Sequence, residues 1–466
     1  MTLSVVEASP LRCIEEFNSN LQDKNNGLIK LKVAEAVCIG GNDDDDTNAK
    51  KCNSAVGKAL IDHVNQIDHD ECDAGDEDSF FVCDLNQVVK SVKTWRKYLP
   101  RIQPHYAIKC NTNAEVIKLL HQSGVNYDCA SKNEIDTVLK LGIDAEKIVY
   151  ANPCKTNSFI RHAKANNVNL TTVDNAHELH KLARFHPDCK ILVRILTDDE
   201  GAQCRLSTKF GCSVATAVES ILPLAQRLGL PVVGVAFHVG SGAKDFDSIY
   251  KVIRDSRIVF NCGLDMGFEM NMVDIGGGFE FETFVESSNM VNVSIDEFFP
   301  QDFVDRHKIK FIAEPGRFMV ANAFTLAAHV IAKRELPHGE VGNEHDQIKA
   351  MLYINDGVYG NMNCILFDHQ QPTAHVLKSG SHFYYNYMER GLNNGNDDKD
   401  KCLFHYSIWG PTCDGLDCVS TKSQLHCEVE VGDWLYFPNL GAYTSAAATQ
   451  FNGFENDTKI IYIPIA

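Results

Sequence analysis

Lys109 in YAIKCN, glycines 276–278 in DIGGGF, Glu314 with Arg317 in EPGRF, and Cys413 beside Asp414 in WGPTCDGLD are the residues whose types and neighbours could do chemistry. A lysine amine condenses with an aldehyde to give a Schiff base, and pyridoxal phosphate is the cofactor that proteins routinely hold in this way. Consecutive glycines let backbone N–H groups approach a phosphate closely, and Ser241 and Arg317 are further donors. A carboxylate such as Glu314 can keep a pyridine nitrogen protonated, which turns the ring into an electron sink. Each residue also has a plainer role open to it. Lys109 could be a surface or ion-pair lysine, the glycines a structural turn, Glu314 and Arg317 a buried ion pair. His238 could be a satisfied core residue or a flat partner for a cofactor ring. The stretch GPTCDGLD could be a tight turn with a solvated aspartate.

The elements that must position these residues are legible as short apolar, β-branched runs: HYAIKC at 105, VNYDCA at 125, KIVYAN at 147, NLTTVD at 169, KILVRI at 190, PVVGVAFHV at 231, MVDIGG at 272 and FIAEPG at 311. Segments with helical spacing of apolar residues, such as AEVIKLLHQSG and KNEIDTVLKLG, lie between them. Strands that are apolar throughout and alternate with helices indicate a parallel sheet covered on both faces. Eight such units predict an α/β fold, a (β/α)8 TIM barrel. Barrel enzymes build their sites at the C-terminal ends of the strands. Lys109, Asp128, Arg194, His238, Ser241, glycines 276–278, Glu314 and Arg317 all follow strand runs. After about residue 325 the pattern changes to short alternating runs, KAMLYINDG, HFYYNYM, CEVEVGDWLYF and KIIYIPI, which read as an all-β domain. The segment DSFFVCDL has the same character and could add a strand to it. The expected organisation is a polar, partly disordered extension over 1–76, a barrel over 86–325, and a β domain from 77–85 plus 326–466. Residues 338–347 and 392–401 are expected to be exposed loops.

Composition excludes several classes. With 62 acidic against 44 basic side chains, the formal net charge of -18 repels phosphate backbones and anionic lipid, so neither nucleic acid nor membrane is an expected partner. The run from Asp43 to Asp46 favours a solvated segment. The start, MTLSVVEASP, lacks the features of a secretory signal, and the most apolar stretch, 318–332, is shorter than the ~20 residues of a membrane crossing. Seventeen scattered cysteines without a C-x-x-C pair fit free thiols in a reducing cytosol and give no reason to expect a metal. Cys110, Cys129 and Cys204 are expected to be small buried hydrophobes.

The stretches YAIKCN, FHVGSG, DIGGGF, EPGRF, FDH and WGPTCDGLD, in this order, resemble the eukaryotic ornithine decarboxylases, most closely in their fungal form. These are pyridoxal-phosphate enzymes of the alanine-racemase-like fold, and the resemblance covers roughly residues 78–466. It implies a cytoplasmic homodimer that decarboxylates L-ornithine to putrescine and carbon dioxide, the first committed step of polyamine biosynthesis. It further implies that Lys109 carries the cofactor, that His238 stacks on its ring and that Glu314 pairs with the ring nitrogen. Ser241, Gly277, Gly278, Arg317 and Tyr443 would take the phosphate, with Pro315 and Gly316 beside them, while Asp128 and Arg194 orient Lys109 and the cofactor edge. Cys413 would reach the partner subunit's barrel mouth and protonate the α-carbon. Asp414 and Asp368 would meet the distal ammonium, with Tyr359, Phe367 and Phe451 lining the pocket.

Other members of this fold stay in view. Diaminopimelate decarboxylases need a group for a distal carboxylate, and Asp414 with Asp368 argues against an anionic tail. Lysine and arginine differ from ornithine in length, and one methylene is worth only about 1–3 kcal/mol of discrimination. Antizyme inhibitors are inactive relatives, whereas Lys109, Glu314, Cys413, Asp368 and Asp414 are all present here. Antizyme binding is expected near 155–182 through Lys155, Arg161, Lys164 and Lys181, side chains that could equally form a solvated helix face.

Overall fold

The computed structural model describes residues 46–198, 206–240, 247–336, 348–386, 404–455 and 457–465. Backbone contacts divide them into two compact units. One comprises Val92–Lys109 and Asn113–Phe318; the other runs from the first described residue to Ser91 and adds Cys110–Thr112 and Met319 onwards. The changeover therefore falls at Ser91 and Phe318.

The first unit is a closed barrel of eight parallel strands: β2 (Ile102–Ala107), β3 (Asn126–Cys129), β4 (Ile148–Tyr150), β5 (Leu170–Val173), β6 (Lys190–Arg194), β7 (Val232–Ala236), β8 (Met272–Asp274) and β9 (Lys310–Ala313). They are the eight runs picked out in the sequence, and β2 pairs with β9 through Ile102 and Phe311 to close the ring. Most strand positions are buried, and polar residues sit mainly at exposed strand starts such as Lys190 and Lys310 or are buried side chains such as His105 and Asp128. Val149, Leu192, Val233, Ala236 and Ile312 pack as one cluster drawn from β4, β6, β7 and β9.

Short loops return the chain from strand to helix, and a polar residue caps each of the early helices. Asn113 accepts from the backbone of Glu115 and Val116 at the start of Ala114–Gln122, and Ser131 from Glu134 at Lys132–Lys140. Thr156 accepts from Phe159 at Asn157–Ala165, and Asn175 from Glu178 at Ala176–Phe185. Each cap satisfies an otherwise orphaned N–H and stabilises its helix by about 1 kcal/mol. These starts fall on the same rim as the strand C-termini, so the chemistry sits on short, well-anchored turns.

The second unit is a nine-stranded, mostly antiparallel sheet. Its order runs β13 (His382–Phe383), β12 (His375–Ser379), β16 (Trp434–Phe437), β10 (Phe324–Glu335), β11 (Ala350–Ile354), β14 (Phe404–Trp409) and β15 (Cys418–Leu425). DSFFVCDL supplies the expected extra strand, β1 (Phe80–Asp84), which pairs antiparallel with β10 and parallel with β17 (Lys459–Ile463). All five β1 residues are buried, as its place between two partners requires.

The stretch expected to be irregular as far as residue 76 carries a 19-residue helix, α1 (Asp46–Val64). Val56, Leu60 and Val64 recur every fourth residue and form one apolar stripe, which packs with Phe80, Val82, Leu377 and Trp434. The acidic run conceals this stripe in composition; Asp43 to Asp45, like residues 338–347 and 392–401, lie outside the described residues. No helix among the described residues is long and apolar enough to cross a membrane.

Candidate active site

At the barrel rim Lys109 follows β2 in the turn Ile108–Cys110, and its Nζ donates to Asp128 Oδ2 at 2.7 Å. Asp128 ends β3 with its side chain wholly buried, while the Lys109 side chain is 42% exposed. A half-open amine held by a buried carboxylate has a fixed position and an accessible nitrogen. The second oxygen, Asp128 Oδ1, is buried without a hydrogen-bond partner, so it retains accepting capacity toward a ligand.

Glu314, directly after β9, is buried. Burial, followed by the negative charges of Asp274 and Asp128, pushes its carboxyl well above the ordinary range. Asp274, the last residue of β8, is also buried and is raised chiefly by burial, and its Oδ2 has no hydrogen-bond partner. Two buried carboxyls this close cannot both ionise cheaply. A cationic N–H placed between the strand ends would relieve them both.

His238, after β7, has its imidazole held well below its ordinary pKa by burial, then by the charges of Arg194 and Lys109. The ring is therefore neutral. Its Nδ1 accepts the N–H of Gly240 at 3.1 Å, which leaves the proton on Nε2. The ring lies against Gly277, where an added Cβ would come 2.9 Å from Nε2 and 2.6 Å from the Glu314 carbonyl. At Gly278, with φ +97, a Cβ would come 2.1 Å from the Gly240 carbonyl. At both glycines the turn packs against Glu314, His238 and Gly240 too closely for any side chain, which leaves the backbone bare at this point of the rim. Arg194 ends β6 nearly buried, its guanidinium over the Phe210 ring at 5.2 Å. Pro315 and Gly316 follow Glu314, and the Pro315 carbonyl accepts from Ala107, which ties this turn to β2. Arg317 places Nε 3.7 Å from Glu280 Oε1. Ser241 lies outside the described residues. A basic tether, a neutral flat ring, a glycine cradle and a buried acid pair on one rim suit a phosphate-bearing aromatic aldehyde.

The thiol and carboxylates belong to the second unit. The loop between β14 and β15 is braced by Asp417, a residue with no mark of its own in the sequence. Its buried carboxylate accepts from the backbone of Val358 (2.9 Å) and Thr412 (3.0 Å) and from the Thr412 hydroxyl (2.6 Å). That brace presents Cys413 and Asp414 at the loop tip, both more exposed than Asp417. The Tyr359 phenol donates to Asp414 Oδ2, and this bond holds the Asp414 carboxyl below its ordinary range. Tyr359 stacks on Phe451 with centroids 4.4 Å apart. Cys413 is bound through N–H and Sγ to Asn452, another residue passed over in the sequence. Asp368 is buried after the helical turn Cys364–Phe367, while Phe367 itself is 68% exposed. Tyr443 takes a positive φ of 54° and donates its N–H to the Cys110 carbonyl.

Two expectations about other residues are altered. Lys155 is buried, its Nζ donating to the carbonyls of Asn152 (2.7 Å) and Thr172 (3.0 Å) beside Glu178. Lys181 bridges to the same Glu178. Of the four cations expected to face a partner, only Arg161 and Lys164 are exposed. Cys110 and Cys129 are buried as expected, and Cys204 lies outside the described residues. Away from the rim, one ligand atom each from His69, Glu77 and His329 lie within 4.8 Å of one another. The two imidazoles are stacked at 23°, however, and an ion lies in the plane of each ring that binds it, so these rings do not converge on one ion. They form a hydrogen-bonded group instead: Trp434 donates to His69 Nε2, and His69 Nδ1 faces Glu77 at 2.6 Å.

Residues 85–321 match the family model for the pyridoxal-dependent decarboxylase, pyridoxal binding domain. The chain is 59% identical over 416 residues to an ornithine decarboxylase of Candida albicans, covering 88% of each. It is 50% identical over 413 residues to one of Saccharomyces cerevisiae, covering 88% of this chain and 86% of the relative. Among solved structures, the arginine decarboxylase of Paramecium bursaria Chlorella virus bound to agmatine aligns with a TM-score of 0.75 at 32% identity, covering 88% of this chain and all of that one. The rim chemistry and these likenesses agree, and the chain belongs to the ornithine decarboxylase family of pyridoxal-phosphate-dependent enzymes.

Proposed function

We propose that this chain converts L-ornithine to putrescine and carbon dioxide, with Lys109 holding the cofactor aldehyde and with Cys413 and Asp414 contributed by a second copy of the chain. When bound, pyridoxal phosphate supplies an aldehyde for covalent attachment of amines and a protonated ring that accepts the electron pair a departing carboxylate leaves behind. The residues of the chain do the rest. Asp128 positions the Lys109 amine. Glu314 and Asp274 offer negative charge to a ring N–H, and the neutral His238 covers a ring face without adding a competing cation. Backbone N–H groups of the glycine turn, with Ser241 and Arg317, would take the phosphate.

Asp414 stays ionised because Tyr359 donates to it, and a carboxylate in that state binds the distal ammonium of a diamino acid. Asp368 is the second carboxylate of this subsite. Once carbon dioxide has left, Cys413 Sγ would give its proton to the α-carbon of the substrate, and a proton taken up from solvent would restore the thiol. Exposed Leu416 and Phe451 lie beside Cys413 in sequence or through Asn452, apolar surface that another copy of the chain would cover.

The observation that carries the proposal is completeness: the Lys109–Asp128 pair, the buried Glu314 and the Cys413–Asp414–Tyr359 group are all present in one chain. An inactive, antizyme-binding relative has no need of that set. Antizyme binding by the active enzyme itself, through the exposed Arg161 and Lys164, stays compatible with it. Carbon dioxide release from carboxyl-labelled ornithine, lysine and arginine, assayed separately, tests the substrate; ornithine is expected to lead, and a leading lysine or arginine overturns the assignment. Mixing inactive Lys109→Ala and Cys413→Ala chains is expected to restore part of the activity. No recovery from demonstrated heterodimers would reject the shared site.

A further inference from the structure

We infer that Asn452 is a positioning residue for Cys413, and that the turn Phe451–Gly453 fixes the proton donor and the ammonium-binding carboxylate relative to each other. The inference rests on the role proposed for Cys413. One amide oxygen, Asn452 Oδ1, accepts both the backbone N–H of Cys413 at 3.1 Å and its Sγ–H at 3.3 Å. The preceding residue, Phe451, stacks on Tyr359, and the Tyr359 phenol donates to Asp414. Thr449 closes the group, with its N–H and hydroxyl donating to the Tyr359 carbonyl at 2.8 and 3.0 Å. A three-residue turn thus holds Cys413 through Asn452 and, by way of the Phe451–Tyr359 stack, the residue that bonds Asp414.

The backbone supports a dedicated role. Asn452 adopts φ 57° and ψ 13°, the left-handed region in which asparagine and glycine are the residues of low strain. The chemistry of the acceptor gives the role its content. An amide oxygen only accepts, so it is satisfied by S–H and repelled by a thiolate. Asn452 therefore points the S–H in a fixed direction and holds it in a fixed relation to the carboxylate that anchors the far end of the substrate.

Three full-length proteins test this: wild type, Asn452→Gly, which removes the acceptor in a residue suited to the left-handed turn, and Asn452→Asp, which keeps an acceptor there. The first readout needs no cofactor. Iodoacetamide labelling of Cys413, followed by peptide mass spectrometry, is normalised to the exposed Cys154 of the same chain. Asn452→Gly is expected to raise the Cys413 rate roughly threefold to tenfold, the range of one net hydrogen bond, and Asn452→Asp is not. An unchanged ratio in the glycine variant, or an equal rise in both variants, overturns the assignment. The second readout is the kinetic split with ornithine. Asn452→Gly is expected to lower kcat at unchanged KM, with most of kcat recovered in Asn452→Asp. Parallel changes in kcat and KM would instead mean a merely structural turn and overturn the positioning role. If wild type releases no carbon dioxide from ornithine, the proposed reaction falls, while the labelling ratio still decides the contact.

Discussion

Replacing Gly278 by alanine separates a phosphate cradle from an ordinary turn. At φ +97 the backbone lies in a region that L side chains rarely adopt, and the new Cβ would stand 2.1 Å from the Gly240 carbonyl oxygen and 3.2 Å from Val239 Cγ2. The conformation costs about 1–2 kcal/mol, and forcing a methyl group against fixed backbone adds roughly 1–3 kcal/mol. The combined destabilisation is about 2–5 kcal/mol, which for a unit of this size lowers Tm by roughly 4–20 °C. Gly229, just before β7 at the opposite end of the barrel strands, supplies the control. It has φ +67 with nothing within 4 Å of the added Cβ, so Gly229→Ala carries the conformational cost of about 1–2 kcal/mol alone. Calorimetry of both apoproteins gives the steric part as the difference, and titration with pyridoxal phosphate gives the second measurement: weaker binding for Gly278→Ala, wild-type binding for Gly229→Ala. If the two variants melt together and both bind cofactor as wild type does, the close approach at Gly278 has no energetic consequence and the cradle assignment fails.

Three further outcomes are expected. Because Glu314 has its carboxyl raised, its buried neutral form contributes stability that is fully present below the unfolded value of about 4.3 and lost as pH rises through the folded value. Urea unfolding of the apoprotein across pH should therefore show Glu314→Gln gaining on wild type as pH rises, with kcat of the loaded enzyme falling by about 10²-fold or more; parallel stability curves would refute the assignment. His238 has the opposite sign: its lowered value makes the fold lose stability as pH falls below about 6.5, where the unfolded chain takes up the proton first. In His238→Phe that acid-side loss should shrink, and a persisting loss of the same size would assign it elsewhere. Leu60→Ala, in the fully buried stripe of α1, should destabilise the sheet unit by about 2–5 kcal/mol in chemical denaturation, whereas a change under about 0.5 kcal/mol would mean that the helix contributes nothing to that core.

The barrel was legible because its physics is local. A strand covered on both faces is mostly apolar, so eight such runs stand out in the chain, and the polar residues just after them fall on the rim. Lys109, Asp128, Arg194, His238 and Glu314 were found by that logic. What escaped was decided by partners distant in sequence. Asp274 carries no local mark, since its importance arises from the pairing of β8 with β9, which sets two buried carboxyls in each other's field. Lys155 looks like any surface lysine until the carbonyls of Asn152 and Thr172 close around its amine. Helix α1 could have been read from Val56, Leu60 and Val64, but the charge of the residues before it outweighed three apolar positions in a polar stretch. Asn452 could not have been, because its significance depends on a left-handed turn and on a thiol 39 residues away. Residue type and spacing therefore expose the groups that react, whereas the groups that hold them ready become visible only where the fold brings unlike segments together; in this chain the acid beside Glu314 and the amide beside Cys413 are both of that second kind.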